Sequence, residues 1–195
     1  MRLPAQRGEP GLPLDPGATG TRRQSDWDYR AMALWFKIRD RLLPRERILA
    51  EAGIRPGFQV LDYGCGPGSY IPATVRLAGA GGRVHALDAH PVAARVVDRL
   101  IREHGWENVT VIRSHCRTGL PDTSLDVALL YDTFHGLERP ADVLAELHRV
   151  LKPAGVLSFN DHHLREPEIR TGVTAGGWFE LLRKGRYTYT FGKAL

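Results

Sequence analysis

Asp62 stands two residues before Gly64, and Gly66 and Gly68 follow at alternate positions, so one short stretch, LDYGCGPG, holds an acid and three glycines. Glycines spaced this way let a backbone turn sharply at positive φ, and without Cβ atoms they let its N–H groups approach a bound molecule. The spacing discriminates between ligands. A dinucleotide fingerprint reads G-x-G-x-x-G, with its pyrophosphate at a helix N-terminus, whereas this chain reads G-x-G-x-G after an acid. A carboxylate there repels a pyrophosphate and suits an ammonium or sulfonium group. A ligand is expected on this loop, the alternative being a plain tight turn.

Two further groupings carry chemistry. Tyr131-Asp132-Thr133-Phe134-His135 follows an apolar run, and Asp132 or His135 could polarise an acceptor hydroxyl or amine, while Phe134 reads as core. Asp161-His162-His163 follows the next apolar run. Adjacent histidines point in different directions on any regular element, so a mononuclear metal site would need His135 or Asp132 as well. Surface-turn and acceptor-pocket readings compete with it, and no metal is assigned. His135, Asp132 and His162 are the catalytic candidates. Cys65 and Cys116 are the two cysteines of the chain; they do not make a disulfide framework, and Cys116 reads as a small packed residue.

These residues need a scaffold, and the apolar periodicity supplies one. Strands are expected over 58–62, 83–87, 108–113, 126–131 and 155–160, alternating with helices over 69–78, 91–104 and 140–151. Alternation of this kind gives an α/β fold: a Rossmann-like, mostly parallel sheet with helices on both faces. A short helix over 165–174 and strands over 178–182 and 187–191 close the pattern, the last two forming a hairpin across Lys184-Gly185 that is too short for a parallel crossover. Upstream, apolar and aromatic residues recur at helical spacing over 26–42 and 45–52, interrupted at Pro44. Residues 1–24, with four prolines and four glycines, read as a disordered or loosely held arm before one domain over 25–195, with the fold complete at Leu195.

Composition narrows the partners. The net charge is +5, yet residues 61–160 hold 10 basic against 11 acidic side chains, so the excess belongs to the two ends. No dense Lys/Arg block with interleaved aromatics is present, which puts a nucleic-acid substrate in second place. No apolar run reaches the length of a membrane span, and the polar start lacks a signal-peptide core, so a cytoplasmic protein is expected, as monomer or homodimer.

Taken together, LDYGCGPG, Asp88 closing the second apolar run, the phrase GLPDTSLD at 119–126 and RVLKPAG at 149–155 resemble class I S-adenosylmethionine (SAM)-dependent methyltransferases. The branch is similar to the small ubiquinone/menaquinone methyltransferases, and the resemblance runs in order over about residues 45–195. It implies a seven-stranded sheet with an antiparallel terminal strand, SAM as cofactor, and leading helices over 25–52 that roof the acceptor pocket with Trp27, Tyr29 and Trp35. The cofactor-facing residues it implies are Asp62, Gly64, Gly66, Gly68, Asp88, Ala89, His115, Cys116 and Tyr131. Asp62 would lie near the SAM ammonium group and Asp88 would accept both ribose hydroxyls. Relatives commonly place an Asp after strand three to accept the adenine amino group, whereas this chain has Ser114-His115-Cys116-Arg117. Methyl transfer to a small-molecule acceptor is the leading expectation. An RNA or protein methyltransferase and a SAM-binding regulatory protein are the alternatives.

Overall fold

Alternating strands and helices put every chemically interesting loop at one edge of a sheet. The computed structural model describes residues 45–194; the arm expected over 1–24 and the helix expected over 26–42, with Trp27, Tyr29 and Trp35, lie outside the described residues. The order is α1 (Arg45–Glu51), β1 (Gln59–Tyr63), α2 (Ile71–Ala78), β2 (Arg83–Asp88), α3 (Pro91–His104), β3 (Val109–Arg113), β4 (Leu125–Tyr131), a 3-10 turn (Phe134–Gly136), α4 (Pro140–Val150), β5 (Leu151–Asn160), α5 (Glu166–Thr174), β6 (Phe179–Lys184) and β7 (Tyr189–Lys193). The strands form one sheet of order β3-β2-β1-β4-β5-β7-β6. Pairing is parallel from β3 through β5, and β7 runs antiparallel to both β5 and β6.

Period-two alternation sends neighbouring side chains to opposite faces. Val60, Val127, Leu129 and Tyr131 pack with Ile48, Leu49 and Ala73 from α1 and α2. Leu61, Tyr63, Ala128 and Leu130 pack on the other face with Leu144 and Leu147 of α4 and Ile169 and Val173 of α5. Burying each of the large side chains stabilises the fold by about 1.5–3 kcal/mol. The helices start and stop for local reasons. At α3, the His90 ring accepts the Val92 N–H, Pro91 fits the first turn, and Gly105 closes the end in a left-handed conformation at φ 65°.

Departures of two or more residues from expectation occur at α2, β5 and the terminal hairpin. α2 starts at Ile71 rather than 69, because residues 66–70 form a turn, with Ile71 N–H bonded to Gly68 C=O at 3.1 Å. β5 starts at Leu151 rather than 155: Leu151 pairs with Leu125 and Val156 with Val127, so the residues between them bulge out of register around Pro153 and Gly155. The terminal hairpin is shifted, with strands Phe179–Lys184 and Tyr189–Lys193 instead of 178–182 and 187–191. A distant carboxylate causes this shift. Glu51, at the end of α1, accepts the N–H groups of Arg186, Tyr187 and Thr188 and the Thr188 hydroxyl, which holds these residues as a loop.

Candidate active site

In the strand order, β1 lies between β2, which leads toward one edge, and β4, which leads toward the other, so the chain direction switches at its carboxyl end. Open α/β sheets bind ligands at such a point. The glycine turn sits there. Gly64, Gly66 and Gly68 have φ of 78°, 53° and 81°, a region that penalises any side chain. Gly64 and Cys65 donate to Leu87 C=O at 2.8 and 3.0 Å, which ties the turn to β2. A Cβ at Gly64 would collide with Thr133, so the turn and the end of β4 touch directly.

Two carboxylates flank the turn. Asp62 is buried, at 2% exposure, and its Oδ2 has no hydrogen-bond partner among the described residues. Burial pushes its carboxyl up to about 7, with Asp88 adding to the rise and Arg45 opposing it. Asp88, at the end of β2, accepts the Gly66 N–H on one oxygen at 2.8 Å and the His90 N–H on the other at 2.7 Å. Burial raises its carboxyl too, against those hydrogen bonds. Two neighbouring acids that both resist ionisation form a site that gains from a cation. SAM carries an ammonium and a sulfonium, so the orphaned Asp62 oxygen, the close-approach glycines and the second acid fit that cofactor.

The remaining cofactor-facing candidates divide. Ala89 is half-buried beside Asp88. His115 is exposed, its carbonyl accepting the Tyr63 hydroxyl at 2.9 Å. Cys116 is half-buried, its N–H donating to the Ser114 hydroxyl, and burial raises both its thiol and that of Cys65. Tyr131 turns its side chain into the core, its hydroxyl 2.7 Å from that of Ser158 and its ring 4.9 Å from Tyr70. The loop after β3 is anchored from beneath by Glu146 of α4, which accepts the Thr118 N–H at 2.8 Å and hydroxyl at 2.7 Å.

The ends of β4 and β5 bring the catalytic candidates together. Tyr131 pairs with Asn160 in the parallel register, so Asp132 and Asp161 leave the sheet side by side. Asp132 adopts φ 50°, which Asp tolerates better than most residues. Its Oδ1 lies 2.7 Å from His162 Nδ1. Asp161 is buried and binds His135 Nδ1 at 2.9 and 3.0 Å. The His163 ring lies between the other two, 4.1 Å from His135 and 3.9 Å from His162. No group of three or more His, Cys, Asp or Glu among the described residues is arranged to hold a metal ion.

Asp161 and His163 were not singled out in the sequence as partners of His135. The signal was present in the register: two parallel neighbours ending at 131 and 160 must release 132 and 161 together. Arg45 was missed as well. It is buried at the start of α1, donates to the Tyr70 hydroxyl at 2.8 Å, and draws the Asp62 carboxyl down from across the core. Its only sequence signal was an arginine among apolar helix positions.

A glycine turn between two acids at the switch point of a 3-2-1-4-5-7-6 sheet defines the class I SAM-dependent methyltransferases. Residues 61–159, about half of the chain, match the family described as "Methyltransferase domain", and the chain belongs to that family. Among curated relatives, it is 36% identical over 110 residues to a ubiquinone/menaquinone biosynthesis C-methyltransferase of Paraburkholderia phymatum, covering 56% of this chain and 45% of that protein. It is 26% identical over 129 residues to a demethylmenaquinone methyltransferase of Geobacillus stearothermophilus, covering 66% of this chain and 55% of the relative. The chain thus matches about half the length of these relatives. A solved SAM-dependent methyltransferase from Aquifex aeolicus superposes with a TM-score of 0.71 at 28% identity, covering 83% of this chain and 96% of that one. The methyl donor of this family is SAM.

Proposed function

We propose that this protein transfers a methyl group from SAM to a small-molecule acceptor held beside the ends of β4 and β5. The observation that carries the reading is Asp62, whose unpartnered, buried oxygen lies beside a positive-φ glycine turn and calls for a cationic ligand. SAM supplies an already activated methyl group, so the residues of this chain chiefly orient, exclude water and manage one proton. Gly64, Gly66 and Gly68 let the backbone approach the donor, Asp62 takes its ammonium, Asp88 its ribose, and Ala89, His115 and Cys116 complete that side, whereas the Tyr131 side chain, turned into the core against Ser158, does not face it. Positioning of the two reactants supplies roughly 7–11 kcal/mol of barrier lowering. Asp132, His135 and His162 face the acceptor.

The curated relatives named above bear quinone-biosynthesis names, which favours a small aromatic acceptor over a macromolecule. The near-neutral balance of the central sequence favours it too. We read the protein as cytoplasmic, in keeping with its two free thiols, and as a monomer or homodimer. No helix among the described residues is long and apolar enough to cross a membrane.

The test is titration calorimetry with SAM, followed by transfer of its labelled methyl group to 1,4-naphthalenediol, bulk tRNA and a protein extract. Label is expected in the small molecule. Label in tRNA or protein, with steep salt dependence, would replace this acceptor class. SAM binding without transfer to any of them would support a regulatory SAM-binding protein.

A further inference from the structure

We propose that Asp161 is a positioning residue that locks His135 as a base with its Nε2 lone pair presented to an acceptor hydroxyl. This deepens the methyltransferase reading and rests on it for the identity of the reaction. Asp161 Oδ2 accepts the His135 N–H at 3.0 Å and Oδ1 accepts the His163 N–H at 3.1 Å, so two backbone donors from opposite sides fix the carboxylate as an acceptor. The His135 Nδ1 at 2.9 Å must then be the donor, which puts the ring in the Nδ1–H tautomer. The Asp161 side chain has no exposure, whereas that of His135 is 35% exposed. With Nδ1 held by the buried acid, the ring edge left for a substrate is the one that carries Nε2.

The hydroxyl follows from what such a base can accelerate. An aromatic amine is unprotonated at pH 7 and attacks with the lone pair it already has, but a phenol-like hydroxyl, with an ordinary pKa near that of tyrosine at about 10, keeps its proton and attacks well only once a base removes it. In the step, the O–H proton moves to His135 Nε2 and an oxygen electron pair forms the bond to the methyl carbon. The carbon–sulfur bond breaks with its pair on sulfur, and Asp161 stabilises the imidazolium. The groups facing His135 among the described residues are Asp161 at Nδ1 and His163 across the ring, with His162 and Asp132 beyond. The His163 ring is tilted against that of His135, 4.1 Å away at 43°, and the Asp132–His162 pair joins the ends of the same two strands with acid and imidazole exchanged.

The deciding measurement is ring-nitrogen NMR of the labelled full-length protein at pH 8, which needs neither cofactor nor acceptor. A protonated Nδ1 and unprotonated Nε2 on His135 are expected; the Nε2–H tautomer would overturn the proposal. Asp161→Asn should populate the other tautomer, with the far-ultraviolet spectrum unchanged. With 1,4-naphthalenediol, the same variant should lose about 100-fold or more in kcat with KM within twofold, since general-base catalysis contributes about that much. An unchanged kcat would overturn the role of Asp161, and no turnover of the diol by a SAM-binding wild type would overturn the hydroxyl acceptor. A wild type that fails to bind SAM would contradict the methyltransferase reading instead, leaving the tautomer result to stand on its own.

Discussion

Asp62 is expected to contribute opposite signs to stability and to the binding of a cation. Its ordinary pKa is 3.8 and burial lifts it to about 7, so between these values the folded chain holds a proton that the unfolded chain has released. Folding from this group is therefore favoured at low pH, and its contribution is lost as pH rises through 7. A cationic ligand reverses the preference, because it favours the ionised form. Asp62→Asn should raise the melting temperature of the ligand-free protein at pH 8 by about 3 °C or more, by removing the cost of a buried charge. It should also weaken SAM binding by about tenfold or more, and the wild-type affinity should strengthen between pH 6 and 8. A less stable variant with unchanged affinity would show that Asp62 serves packing alone. Gly64→Val should abolish SAM binding through its collision with Thr133 and its φ of 78°, measured by calorimetry on a protein that keeps its circular dichroism. The glycines and both acids were legible in the sequence because their spacing is local. The Asp161–His135 pair was not, since residues 26 apart meet only through strand register.

At the scale of elements, loops are placed by carboxylates from elsewhere in the chain. Glu146 of α4 is the clearest case. Burial raises its carboxyl, but hydrogen bonds from Arg149 and Thr118 outweigh that and bring it down to about 2. A lowered acid stabilises above its ordinary pKa of 4.5, and that contribution is lost as pH falls through the folded value. Glu146→Gln should cost about 1.5–3 kcal/mol at pH 7 by urea unfolding, with a smaller difference from wild type at pH 2. It should also loosen the loop after β3, raising hydrogen exchange at Thr118; equal exchange in the two proteins would leave that loop anchored by other contacts. Glu51 does the same for the β6–β7 hairpin, with its carboxyl held below the ordinary value by bonds from Tyr187, Thr188 and Arg186 that outweigh burial. Hairpin ends were misread for this reason. Alternating apolar residues at 187–191 suggested a strand, and nothing in that stretch announces an acceptor arriving from residue 51. The α3 boundaries were read correctly, since His90, Pro91 and Gly105 set them locally.

Across the whole molecule, the βα alternation, parallel pairing and antiparallel final strand agree with the sequence reading, because short connections and right-handed crossovers leave few other topologies. The bulge at Pro153–Gly155 and the core-facing hydroxyls of Tyr131 and Ser158 depend on packing between strands and were out of reach of periodicity. The sheet brings three segments of the candidate site to one edge: the glycine turn, the acid closing β2, and the paired imidazoles after β4 and β5. A ligand that binds only the folded state and spans these segments should stabilise the entire domain, by about 2.7 kcal/mol at a hundredfold excess over its Kd. The most direct measurement is calorimetric titration of S-adenosylhomocysteine into the wild type and Asp88→Ala, with melting curves of both. One-site binding by the wild type, a rise in its melting temperature, and affinity weaker by tenfold or more in a folded Asp88→Ala variant are expected. No binding by the wild type, or equal affinity in the two proteins, would contradict a cofactor seated on the β1 turn against Asp88.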